Sequence, residues 1–373
     1  MAKKRIAIFG IKYFPSKGGT SRMVENLLLE LKDQFDFTVY CYRHEQAEGH
    51  IPGVQTIQFA ELPIKGIGVF WYYLRCCFHL MFSGQYDLIH AHKTDGAFFL
   101  PILGWKYKVI ITSHALPYLN DKWSGLGKLY FRLAERIYMH SRQTRTAVSK
   151  TQTEYYTQTY QKPVSYIPNG IHKVKEVQAE LADELLHQHQ VEGDYLFFAA
   201  RRLIPLKGCH TLLEALKLIQ FKGTLLIAAD AKQLPAYTEQ LKRAARNLDV
   251  RFLGYVGDMA ILNALIHRAQ FFIFPSELEG MSMMLLEVGS LGTPMICSDI
   301  PQNKAVFDER EVLYFRSENA PDLAQKIQWA FRHPKEMQQR AQAAKKTIES
   351  EYLISHIVKQ YTQLYQHLTQ ATD

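Results

Sequence analysis

The chain has 373 residues, 47% of them hydrophobic and 21% charged, which excludes a disordered or fibrous protein and leaves room for two ordinary domains. Its net charge of +8 is lopsided: residues 1–165 carry 21 Lys and Arg against 12 Asp and Glu, and the rest carry 23 against 24. The basic half therefore faces something anionic or is simply basic surface, and with no recognition motif in it a nucleic-acid partner is not expected.

Met1-Ala-Lys-Lys-Arg runs straight into the strand Ile6–Gly10, leaving no room for the apolar core of a signal peptide. A loop, Ile11–Thr20, carries the pair Gly18-Gly19 into a helix whose Met23, Val24, Leu27, Leu28 and Leu31 share one face. Glycines between a first strand and a first helix let a backbone pass close to a ligand, or simply make a tight turn. Their spacing is not the G-x-G-x-x-G of dinucleotide sites.

Strands are predicted at Phe37–Cys41, Gln55–Phe59, Leu88–His92 and Val109–Thr112, with helices between them. That alternation predicts an α/β protein with a parallel sheet covered on both faces. His90, His92 and His114 fall at the carboxyl ends of strands, where such sheets gather functional groups. His90 reads as a satisfied core histidine.

The helix Val69–Phe82 is rich in aromatic residues; the apolar run from Ile67 is too short for a membrane span and carries Arg75 and His79. A second helix is predicted over Lys122–Arg145, with Leu126, Leu129, Tyr130, Leu133 and Ile137 as its apolar stripe. Lys128, Arg132, Arg136 and His140 recur every four residues on another face. A basic stripe is ordinarily a solvated face. Beside 69–82 it also fits peripheral docking of 69–82 and 122–145 on an anionic membrane.

A second domain opens near Val174 with a helix at Leu181–Gln190 and a strand at Tyr195–Ala200. Arg202 and Lys207, five apart beside Gly208 and before the helix Thr211–Ile219, can bracket a diphosphate as a fork and a point charge. Strands follow at Leu225–Ala229, Val250–Leu253, Gln270–Phe274 and Met295–Ser298. Between the last two lie an acidic loop, Glu277-Leu278-Glu279-Gly280, and a helix with Met281, Met284, Leu285 and Val288 as its stripe. The helix start offers N–H groups to an anion, while Glu279 and Glu287 can accept hydrogen bonds from hydroxyls. Together these suit a sugar nucleotide, although two glutamates eight apart are also common on solvated faces. Helices at Ala320–Arg332, Pro334–Glu351 and Leu353–Leu368 close the chain, and the five scattered cysteines lack metal-ligand spacing and fit a reducing cytosol.

The Glu279-x7-Glu287 unit, Arg202-Leu-x3-Lys207-Gly208, Gly18-Gly19 and Tyr166-Ile-Pro-Asn-Gly-Ile171 occur in one order along the chain. In this they resemble the family 4, group 1 type, retaining glycosyltransferases. The resemblance implies the GT-B fold: two Rossmann-like domains with parallel sheets facing a central cleft. The first would be residues 1–172, joined by a C-terminal helix at 353–373, and would bind the acceptor; the second, 173–352, would bind the nucleotide sugar.

It further implies Gly18, Gly19, Arg202, Lys207, Glu279, Gly280, Met281 and Glu287 as donor-binding residues, and His114, Glu279, Arg202 and Lys207 as catalytic ones. Glu279 would contact the donor sugar, Glu287 the ribose, and His114 the region of the reacting bond. No Asp-x-Asp is present, and a metal-independent reaction without a protein base is implied. Ala115, His172 and the Ala200-Arg201 stretch stand where the family commonly has other residues, and Ala229–Lys232 replaces a Gly-rich loop. The implied reaction moves a sugar, from a UDP-sugar by preference, to a glycan or lipid-linked acceptor in cell-surface polysaccharide or lipopolysaccharide biosynthesis. The expected location is the cytoplasm, or the inner face of the membrane. An epimerase or hydrolase on the same fold, or a non-catalytic binding protein, stands beside that reading.

Overall fold

The computed structural model describes residues 2–15, 18–43, 51–62, 64, 67–119, 123–174 and 176–370. Ser16, Lys17, Lys122 and residues 371–373, included in the ranges above, lie outside the described residues.

In chain order the elements begin β1 (Lys4–Phe9), α1 (Gly19–Leu31), β2 (Phe35–Tyr42), β3 (Val54–Phe59), α2 (Ile67–Phe82) and β4 (Leu88–His92). After a 3-10 turn come α3 (Leu100–Lys106), β5 (Lys108–Ser113), α4 (Gly125–His140), β6 (Thr144–Ala147), α5 (Lys150–Tyr160) and β7 (Ser165–Tyr166). Next are α6 (Asp183–Gln188), β8 (Tyr195–Arg202), α7 (Cys209–Leu218), β9 (Thr224–Asp230), α8 (Pro235–Ala244) and β10 (Asp249–Gly254). They lead to α9 (Met259–Arg268), β11 (Phe271–Phe274), α10 (Met283–Leu291), β12 (Met295–Ser298), α11 (Pro301–Lys304) and β13 (Leu313–Phe315). The chain finishes with α12 (Ala320–Arg332), α13 (Pro334–Glu351) and α14 (Ile354–Gln370).

Two compact units result: residues 1–170 with 354–373, and residues 171–353. The first holds a seven-stranded sheet in the order β3-β2-β1-β4-β5-β6-β7, the second a six-stranded sheet in the order β10-β9-β8-β11-β12-β13. The strand pairs are parallel in both. The central strands are apolar on both faces, as helices on either side require: Ile6 to Phe9 and Leu196 to Phe198 are essentially buried. In each sheet the order reverses beside the first strand of the unit, between β1 and β4 and between β8 and β11. Ligands of doubly wound sheets bind outside the carboxyl ends at such switch points.

In the first unit, buried residues of α2, α3, α4 and α5 share one core on one sheet face. In the same unit α14 returns to the sheet: Tyr365 meets Phe35 edge-on at 5.5 Å and bonds the His90 ring at 2.7 Å. In the second unit α7 and α12 line one core.

Three sequence expectations need correction. The helix expected over Lys122–Arg145 is α4, Gly125–His140, and Arg145 lies in β6. Its inward stripe is Phe131, Ala134, Glu135, Tyr138 and Met139, whereas Leu126, Leu129 and Leu133 are exposed. Glu135 is tolerated inside because the hydroxyls of Tyr155 (3.1 Å) and Tyr160 (2.7 Å), both on α5, donate to its carboxylate. The helix after the acidic loop starts at Met283, capped by Ser282, so Met281 precedes it. That helix is buried nearly all round instead of along one stripe. Leu181–Gln190 resolves into a 3-10 turn, Ala179–Ala182, and the short α6.

Candidate active site

In the second unit two loops leave the carboxyl ends of neighbouring strands, one after β8 and one after β11. Backbone contacts lock them together. Gly208, in the left-handed region at φ +66°, lies so near the Pro275 carbonyl that an added Cβ would stand 1.9 Å from its oxygen. The Glu277 N–H donates to Leu206 O at 3.0 Å. Beneath the second loop the Ser298 hydroxyl donates to Ser276 O (2.5 Å), and Asn303 Nδ2 donates to Ser298 O (3.0 Å).

This locking brings Lys207 and Glu279 together: Lys207 Nζ donates to Glu279 Oε1 at 2.5 Å, with the two side chains 25% and 11% exposed. Arg202, at the end of β8, reaches Gln233 Oε1 at 3.4 Å, and its pKa is lowered by burial and by the neighbouring Arg201. Glu287 is buried one turn into α10. Gly280 lies between Glu279 and the capped start of α10.

Sequence reasoning passed over Glu277 and His210 as site residues. Glu277 Oε1 lies 3.5 Å from His210 Nε2, and His210 Nδ1 lies 2.9 Å from the Tyr237 hydroxyl. Burial, helped by the charge of Glu318, raises Glu277 to about 6. Burial lowers His210. The signal was available in the acidic loop itself, where Glu277 stands two residues before Glu279.

The first unit carries the remaining predicted residues. Gly10, at φ +91°, ends β1 against β4; a Cβ there would stand 1.9 Å from His92 O. His92 Nδ1 lies 3.0 Å from His114 Nε2. Burial, with Lys93 and His90 as lesser causes, pushes half-buried His114 down to about 3, so it is neutral at pH 7. His90 is the satisfied core residue expected: its ring nitrogens meet the Tyr365 hydroxyl and Thr112 Oγ1, both at 2.7 Å. Gly18 caps α1 in extended conformation, φ −100°, so backbone strain does not demand glycine there. Thus Gly18, Gly19 and His114 belong to the first unit, and Arg202, Lys207, Glu279, Gly280, Met281 and Glu287 to the second. All five cysteines are buried and unpaired.

Known proteins resemble this chain in sequence and fold. A profile described as Glycosyltransferase Family 4 matches residues 17–174, and one described as Glycosyl transferases group 1 matches residues 183–347. The chain belongs to the group 1, family 4 type glycosyltransferases and has the GT-B fold. Among curated relatives, a glycogen synthase of Mycobacterium tuberculosis is 26% identical over 163 residues, 43% of this chain and 39% of that protein. The chain thus matches well under half the length of that relative. The uncharacterized glycosyltransferase MJ1178 of Methanocaldococcus jannaschii is 25% identical over 327 residues, 84% of this chain and 85% of that one. Among solved structures, sucrose-phosphate synthase of Thermosynechococcus elongatus has TM-score 0.83 at 19% identity, covering 99% of this chain and 100% of that one. HepE of Anabaena, solved in complex with UDP-glucose, has TM-score 0.79 at 16% identity, covering 98% and 100%.

Proposed function

We propose that this protein transfers a glycosyl residue from a nucleoside-diphosphate sugar, UDP-linked by preference, to a hydroxyl of a glycan or lipid-linked acceptor, with retention of anomeric configuration. The observation that carries it is the Lys207–Glu279 contact between two interlocked loops at a switch point. A cation for the diphosphate and a carboxylate for sugar hydroxyls are thereby held within one hydrogen bond of each other. Arg202 and Lys207 stabilise the charge that grows on the leaving diphosphate, a preorganised electrostatic role. With cations in that place the reaction needs no metal ion, and the leaving phosphate accepts the acceptor's proton.

Glu287 holds the ribose, and Gly280 and Met281 give the donor close backbone approach. Gly18, Gly19 and His114 are the first unit's contributions to the donor. The UDP-glucose complex of HepE supports uridine as the base. Synthesis of a cell-surface polysaccharide or lipopolysaccharide is the pathway class that fits, with the protein peripheral on the inner face of an anionic membrane. No helix among the described residues is long and apolar enough to cross a bilayer.

Calorimetric titration with UDP, GDP, dTDP and ADP, on wild type and Glu287→Ala, tests the reading. One nucleotide binding wild type and weakening in the variant supports it, and product formed from that nucleotide's sugar in chelator with an acceptor extract completes it. Binding by none removes the donor site. Sugar release or epimerisation without acceptor favours the hydrolase or epimerase, and nucleotide binding with no turnover favours a binding protein.

A further inference from the structure

Of the 21 large apolar residues left exposed among the described residues, 15 fall between Leu62 and Leu133, so the apolar surface is concentrated on one part of the first unit. Three helices supply most of it. On α2 the exposed set includes Phe70, Trp71, Phe78 and Phe82, the last 74% exposed. On α3 it is Ile102 and Trp105, with Trp105 88% exposed. On α4 it is Leu126, Leu129 and Leu133. Because these helices bury their other sides in one core on one sheet face, their outer sides look the same way.

The charges on this layer have a single sign. The sequences of α2 and α3 contain no carboxylate, and the one carboxylate of α4, Glu135, is buried beneath the two tyrosine hydroxyls. Arg132 and Arg136 are exposed among the leucines of α4, and Lys128 is half-buried beside them. Lys106 Nζ is turned to Met81 O (2.7 Å) and Gly84 O (3.1 Å), fastening the end of α3 to the end of α2. On α4 the exposed leucines and the cations lie interspersed, and a bilayer takes aromatic and leucine side chains into its interface while its phosphates meet the cations.

We infer that the outer side of α2, α3 and α4 is a docking face for an anionic lipid bilayer, with Phe78, Phe82, Trp105 and Leu126 entering the interface and Lys128, Arg132 and Arg136 meeting the headgroups. This deepens the membrane contact proposed above by fixing its face and anchors. It also reverses the expected role of the α4 leucines, which point outward among the cations they were thought to oppose.

Co-sedimentation with phosphatidylcholine vesicles, with and without phosphatidylglycerol, tests it alongside UDP titration of the same samples. Wild type is expected to sediment with the phosphatidylglycerol vesicles and to be released by salt, since exposed charges are screened. Arg132→Gln/Arg136→Gln should weaken vesicle binding by about fivefold per cation removed. Phe78→Ser/Trp105→Ser should weaken it at every salt concentration. These exposed substitutions should leave UDP binding at the wild-type value. Equal binding to both vesicle types, or none to either by a protein that still binds UDP, overturns the face and spares the donor site. Self-association abolished by Phe78→Ser/Trp105→Ser, without vesicle binding, overturns it in favour of a second copy of this chain. Vesicle binding without UDP binding upholds the face and removes the donor reading.

Discussion

Lys207 and Glu279, seventy-two residues apart, share one hydrogen bond of 2.5 Å across two loops that backbone contacts hold in register. If Lys207 takes a donor's diphosphate as proposed, the pair must compete with that donor, because a diphosphate reaching the ammonium also meets the carboxylate. Opposite effects are therefore expected from the two partners. Lys207→Ala should weaken UDP by about tenfold to a hundredfold, the usual range for a hydrogen bond to a charged group. Glu279→Gln should bind UDP at least as tightly as wild type while losing turnover of the sugar donor. Calorimetry and a product assay on both variants check this; weaker UDP binding by Glu279→Gln would sink it.

Gly208→Ala tests the locking of the loops. A left-handed backbone costs a non-glycine residue roughly 1–2 kcal/mol. Here the added Cβ also meets the Pro275 carbonyl, so the loss should exceed that value and UDP affinity should fall with it. Gly193→Ala is the control: it has φ +76° and nothing within 4 Å of its Cβ, so it should show the backbone cost alone. Denaturant midpoints and nucleotide titration read both.

Glu277 gives a pH signature. Its ordinary value is 4.5 and its folded value about 6, so the folded state holds the proton more tightly. The stability this contributes is fully present below pH 4.5 and is lost as pH rises through 6. The loss is at most about 2 kcal/mol, from 1.36 kcal/mol per pKa unit. His210, lowered by burial, acts in the other direction, with stability lost as pH falls through its folded pKa, so the comparison must be with Glu277→Gln. The variant should gain on wild type between pH 4.5 and 6, measured by urea midpoints; parallel profiles would refute the assignment.

The first unit should be acid-labile at its centre. His90, His92 and His114 are each lowered by burial, His90 and His114 to about 3. Their unfolded value is about 6.5, so the stability they contribute is present above pH 6.5 and lost as pH falls toward 3. Amide exchange in β4 and β5, corrected for intrinsic rate, should accelerate over that window, and Tyr365→Phe should shift the onset upward by removing a ring partner of His90.

What the sequence displayed and what it hid differ in physical kind. Central strands such as Ile6–Phe9 and Leu196–Phe198 were legible because burial on both faces leaves an unbroken apolar run. The α4 stripe was not. Leu126, Leu129 and Leu133 and the set Phe131, Ala134 and Tyr138 both recur at helical spacing, and the inner set contains Glu135, whose burial depends on two tyrosines some twenty residues later. Arg202, Lys207, Glu279 and Glu287 could be proposed from the chain as a candidate donor set, and they fall in one unit. That Lys207 and Glu279 touch could not, because the contact follows from β8 and β11 being neighbours in the sheet, a fact no local spacing contains.

Helix α14 has a consequence for how the chain is made. The unit begun first is finished last: the ring of His90 waits for Tyr365, 275 residues downstream, and Phe35 waits for the same ring. Residues 171–353, by contrast, contain everything their own sheet requires. During synthesis the second unit can close while the first still shows a sheet face without its last helix. A chain halted after Glu351 would present a nearly complete second unit and an open first one, the form most exposed to aggregation and proteolysis.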